Sequence, residues 1–178
     1  MSTAWLENLD PKDRDRAARL RAVFARLGAD APEAWASSEI QEDFPQLACF
    51  LILRRLWSEQ IDTYRANPRW SDIVVQAARR NPTGAFADAG QALERLLELG
   101  AERTDIASIA RVVAYETVFG VLELIDEGRD PELPSSDNLP GWLLVENDLT
   151  KGPTSRVIDG LHESLLSLDP SRREGQPG

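Results

Sequence analysis

Residues 104–127 read TDIASIARVVAYETVFGVLELIDE, and this stretch decides the fold class. Ile106, Ala110, Val113, Ala114, Val118, Val121, Leu122 and Ile125 recur at intervals of three and four. That is the period of a helix with a wide apolar face, so several neighbours must cover it. Thr104 suits its N-cap, and Gly128 suits its C-terminal stop. A central helix of this kind predicts a mainly helical protein.

The same signals recur upstream. Asp10-Pro11 opens a helix that Gly28 closes, with Ala17, Leu20, Phe24 and Leu27 on one face. A short helix over Pro32–Glu42 carries Trp35. Another runs from Pro45 to Tyr64 with Asp43 as its N-cap, and its first half is apolar nearly all round, which predicts burial. Asn67-Pro68 breaks it. Helices follow over Trp70–Arg80 and Ala85–Leu99, the latter with Phe86, Leu93, Leu96 and Leu97 inward and Gly100 at its end. Downstream, residues 128–141 form a loop rich in Pro, Ser, Asp and Asn, expected to be the most mobile internal segment. Trp142–Val145 fits a short strand or a helical turn. Pro153–Leu168 is predicted as a final helix, with Val157, Ile158, Leu161, Leu165 and Leu168 inward. No alternating run is long enough to argue for a sheet. The expectation is one all-α domain over residues 1–170, an irregular bundle of six to eight helices, with a flexible tail over 171–178.

The chain has 178 residues, 42% of them hydrophobic, with five Trp and five Phe to anchor a core. The lone cysteine, Cys49, lies in the apolar run 47–53 and reads as a small buried hydrophobe. That run is far short of the roughly 20 residues needed to span a bilayer. With no disulfide framework and no signal-peptide pattern, a cytoplasmic protein is expected. Arg supplies all but Lys12 and Lys151 of the 20 basic residues, a bias pointing to a GC-rich bacterial genome.

The net charge is −10, which weighs against nucleic acid as a partner. It is also uneven. Residues 123–148 hold Glu123, Asp126, Glu127, Asp130, Glu132, Asp137, Glu146 and Asp148 against one base, Arg129. On the central helix, Asp105, Glu116, Glu123 and Glu127 project within about 40° of one another at 100° per residue. Gly120 leaves a notch among them. Val112 and Phe119 border the stripe, so Glu116 is expected to be partly desolvated. Such a field steers a cationic protein toward it.

Three other constellations bear on chemistry. Glu39-Ile-Gln-Glu42, a sixteen-residue gap and Glu59-Gln-Ile-Asp62 resemble the four-carboxylate Mg²⁺ pattern of all-α nucleoside-triphosphate pyrophosphohydrolases. In that family the chain turns in mid-gap so that the pairs face each other. Here the turn signal, Asp43-Phe44-Pro45, follows the first pair directly, and a helix of roughly 20 Å then separates the two. His162, the only histidine, sits three residues after Asp159 and reads as a surface or half-buried histidine beside a carboxylate, since one His without further soft ligands is a poor metal set. No phosphate-loop, dinucleotide, nucleophile-elbow, zincin or Cys-x-x-Cys motif is present. No catalytic residue and no cofactor are assigned. The expected function is a non-enzymatic acidic protein that docks on a basic partner protein through Glu116, Glu123, Asp126, Glu127, Asp130 and Glu132. A toxin-immunity protein has these features. The alternative is an Mg²⁺-dependent nucleotide hydrolase using Glu39, Glu42, Glu59 and Asp62.

Overall fold

The computed structural model describes residues 4–7, 9–132, 134 and 139–170. The fold is all-α and irregular, with one small antiparallel hairpin. The chain divides into two compact units, Met1–Arg54 with Gly120–Gly178, and Arg55–Phe119.

The first unit contains α1 (Ala4–Glu7), α2 (Pro11–Arg26), α3 (Pro32–Gln41), most of α4 (Gln46–Leu56), the last turns of α8 (Arg103–Glu127), β1 (Leu144–Asp148), β2 (Gly152–Ile158) and α9 (Leu161–Ser164). α2 starts as its sequence predicts: Asp10 accepts the Asp13 N–H at 2.8 Å, Pro11 occupies the first turn, and Gly28 beyond its end takes φ +88°. Its apolar stripe carries Phe24 into a core with Ala36 and Phe50, flanked by Leu20, Leu27, Trp35, Leu47 and Leu168. The rings of Phe24, Trp35 and Phe50 lie 5.3–5.9 Å apart. Both Phe50 contacts are edge-on, the arrangement that ring quadrupoles favour.

The second unit contains a π-helical turn (Trp57–Ile61) continuing α4, then α5 (Thr63–Ala66), α6 (Trp70–Arg80), α7 (Ala87–Glu98) and the first part of α8. Val75, Leu93 and Ile106 form its core, with Trp70, Val74 and Leu97 against them. α6 and α7 pack closely at Gly90, where a Cβ would collide with the Ala78 methyl and the Val74 carbonyl. In the π turn, the Asp62 N–H reaches the Trp57 carbonyl at 2.9 Å. This wider turn lets both residues engage Arg111: its guanidinium lies 5.2 Å from the Trp57 ring centre and bonds Asp62 at 2.5 Å.

Several expectations need correction. The segment Pro153–Leu168 is not a helix. Asp148 Oδ1 accepts the Thr150 hydroxyl and the Thr150 and Lys151 N–H groups, and Gly152 takes φ +91°. The resulting turn sends 152–158 back along 144–148 as a strand, with Leu144 opposite Ile158, Asp148 opposite Gly152, and a bulge between Val145 and Asn147. β-branched Thr154, Val157 and Ile158 suit that strand. Thr154, Arg156 and Ile158 turn inward, whereas Val157 is exposed. Trp142–Val145 accordingly leads into β1. Only Leu161–Ser164, after Gly160 at φ +63°, is α-helical.

Asp43 does not cap α4. It takes φ +50°, and the helix begins at Gln46. Phe86, expected inward, holds a left-handed φ of +62° ahead of α7 and is 82% exposed. Leu96, Val113 and Val121 are exposed as well. α8 is apolar around most of its circumference, but only Ile106, Ala107 and Leu122 on it are buried, so its period overstates how much of it is covered. The expected tail over 171–178 lies outside the described residues, as does part of the loop over 128–141.

Candidate functional site: an acidic cleft

In the first unit, the end of α8, the connector between α3 and α4, and the segment 159–164 line a cleft of about 540 Å³. Six carboxylates line it: Glu42, Glu123, Asp126, Glu127, Asp159 and Glu163. Phe44, Gln46, Gly160, His162 and Ser164 complete the lining.

Arg156, on β2, holds the connector. Its Nη2 donates to Glu39 Oε1 and to the Phe44 carbonyl, both at 2.6 Å, and its Nε donates to the Asp43 carbonyl at 3.2 Å. Its Nη1 reaches both oxygens of Glu146 at 3.2 Å. Glu39, with a side chain only 3% exposed, also accepts the Leu47 N–H at 2.8 Å and Arg16 at 3.5 Å. A carboxylate so deeply placed must be neutralised and hydrogen-bonded, and two arginines and a backbone donor do both. The path of Glu42, Phe44 and Gln46 is therefore set by a strand residue more than a hundred positions later.

The other wall begins where α8 stops. Gly128 takes φ +67°, and its carbonyl accepts the Trp142 N–H at 2.8 Å. The Trp142 indole donates to the Leu124 carbonyl at 3.0 Å. Asp126, two residues before Gly128, has a side chain 4% exposed. Its Oδ2 accepts the His162 backbone N–H at 3.0 Å and the His162 ring at 2.6 Å. Facing a carboxylate oxygen, Nδ1 is the nitrogen that carries the proton. This hydrogen bond holds the imidazole above its ordinary pKa, and the charges of Asp126, Glu163 and Glu123 act in the same direction. Asp126 Oδ1 is buried and has no hydrogen-bond partner among the described residues.

The structure sorts the residues of the acidic stretch. Glu123, Asp126 and Glu127 meet in the cleft. Asp126 is not an open surface charge, since His162 engages it. Glu116 is exposed on α8 rather than partly desolvated and does not line the cleft. Asp130 and Glu132 are exposed beyond α8, with Asp130 Oδ1 accepting the Glu132 N–H at 3.0 Å, and they do not line it either. Glu146 and Asp148 serve Arg156 and the hairpin turn, and Asp137 lies outside the described residues. Among the described residues, Glu42, Glu123, Glu127, Asp159 and Glu163 form no ion pair with Arg or Lys.

The sequence reading missed Glu42, Asp159 and Glu163 as neighbours of the acidic stretch. It also paired His162 with Asp159 instead of Asp126. The available signal was that the sole histidine shares the C-terminal half with most of the acids.

Of the four carboxylates in the metal pattern, three are bound to arginine: Glu39 to Arg156 and Arg16, Glu59 to Arg55, and Asp62 to Arg111. Glu42 accepts the Ser38 hydroxyl at 2.8 Å. Among the described residues, no group of three or more His, Cys, Asp or Glu side chains is placed to hold a metal ion. No helix among them is long and apolar enough to cross a membrane. Burial and the nearby Glu39 charge push the Cys49 thiol up to about 12, the opposite of what a nucleophile needs.

No protein-family model, curated protein or solved structure matches the chain.

Proposed function

We propose that the chain is a non-enzymatic binding protein whose acidic cleft docks on a basic surface of a partner protein, in the manner of a toxin-neutralising immunity protein. One observation carries this reading. Glu123, Asp126 and Glu127 converge with Glu42, Asp159 and Glu163 in a single concave site, and five of the six have no cationic partner among the described residues. Like charges gathered without counter-charges repel one another in the free protein. A basic partner relieves that repulsion, and the concave wall concentrates the field that steers it. The immunity role adds a toxic partner to this chemistry and rests on the acidity and the want of a catalytic motif.

The test is charge reversal on a partner identified through the neighbouring gene. Glu123→Lys with Glu127→Lys should slow association by about tenfold or more at low salt, and the deficit should shrink as salt shortens the screening length to roughly 8 Å. Asp15→Lys with Glu102→Lys, exposed and outside the cleft, should change little. An acidic partner, or equal effects of the two reversals, would remove the proposal.

A further inference from the structure

We infer that the cleft is a binding site for a guanidinium: an arginine side chain of the basic partner enters it and donates to the Asp126 carboxylate. This rests on the docking reading above and deepens it. The second observation, beyond the acidic lining, is Asp126 itself. Its side chain is 96% buried, Oδ2 is taken by His162, and Oδ1 is a buried acceptor with no donor among the described residues. Asp126 is one of the residues lining the cleft, and a small side-chain shift that uncovers Oδ1 would let a donor reach it from there.

Three features select guanidinium over ammonium. Glu123 and Glu127, one turn before Asp126 and next to it on α8, are exposed in the same lining. A planar fork with five N–H donors can address Asp126 on one edge and either glutamate on another, whereas an ammonium is a point charge. A guanidinium is also less strongly hydrated, so reaching a buried acceptor costs it less. Finally, Phe44, a half-buried aromatic residue, is part of the lining, and a guanidinium can stack on an aromatic ring.

The chain's only histidine reports occupancy, because His162 shares the Asp126 carboxylate and an arriving cation opposes its protonation. The test titrates the full chain with acetyl-arginine amide and with acetyl-lysine amide while following the His162 ring by NMR. The expected result is a saturable arginine response that lowers the His162 titration midpoint, at least about fivefold weaker for lysine. Asp126→Asn should abolish the response. Glu123→Gln with Glu127→Gln, at exposed positions that do not threaten folding, should weaken it by about tenfold. Equal responses to the two amides, an unmoved His162 midpoint, or full binding by the Glu123/Glu127 variant would overturn the inference. If arginine amide fails while charge reversal still slows the natural partner, the guanidinium site is wrong and the docking reading stands. If the partner ignores the reversal, the docking reading is wrong.

Discussion

Replacing Glu39 by alanine removes the acceptor at the centre of the Arg16–Glu39–Arg156 network. The Leu47 N–H, at 2.8 Å, loses its partner near the start of α4, which costs about 1–3 kcal/mol if the group stays dry. Arg156 loses its 2.6 Å bond to a carboxylate 3% exposed, and breaking such a pair from one side costs about 3–5 kcal/mol when the remaining charge has nowhere to go. Here it retains Glu146 at 3.2 Å and the Phe44 carbonyl at 2.6 Å, and Arg16 is already 41% exposed. The low end therefore applies, and Glu39→Ala should cost about 3 kcal/mol in all. Urea unfolding followed by circular dichroism should show the midpoint falling by about 1.5 M if the slope is about 2 kcal/mol/M. Arg156→Ala should cost about 2 kcal/mol, because Glu39 keeps Arg16 and the Leu47 N–H. The double variant should fall short of the sum by about 1–2 kcal/mol. A loss under about 1 kcal/mol for Glu39→Ala, or strict additivity in the double variant, would refute the view that this pair holds the α3–α4 connector.

Three other outcomes are expected. The raised His162 value makes protonation favour the folded state: that stabilisation is complete below the ordinary value of about 6.5 and fades as pH rises through the higher folded value. His162→Gln should flatten this part of the stability–pH curve, and an unchanged curve would contradict the Asp126 hydrogen bond. Cys49, buried with its thiol pushed up to about 12, should resist a disulfide reagent in the native protein and react at once in denaturant. Gly90→Ala should destabilise by about 1–2 kcal/mol through collision with Ala78 and Val74, whereas Gly120→Ala, with open space at its Cβ on exposed α8, should stabilise by about 0.5–1 kcal/mol. Thermal unfolding of the pair checks both signs.

What the sequence by itself determined are features whose physics is local. Helix period, the Asp10 side-chain cap and the Gly28, Gly100 and Gly128 stops act within a few residues, so α2, α3, α6 and α8 stand close to where pattern and punctuation put them. The burial of Cys49, Phe50 and Leu53 was legible in their apolar run for the same reason, but that run also predicted burial of Leu51, which is exposed. The concentration of acids in 123–148 was plain, but not what each acid does, because partners more distant along the chain decide that.

Tertiary structure decided the rest. The segment 153–168 carries a helical spacing of Val157, Ile158, Leu161, Leu165 and Leu168, and the alternation of burial over 152–158 appears only once the strand is paired. Pairing with β1 and the Asp148 turn select the strand for its first half. A strand has no ladder until its partner arrives, so no local signal could settle the choice. The cleft depends on tertiary structure in the same way. Arg156 meets Glu39 across 117 positions and His162 meets Asp126 across 36. Those two long-range pairs turn an acidic stretch into a concave site, because a charge's environment is set by what folds against it and not by its neighbours in sequence.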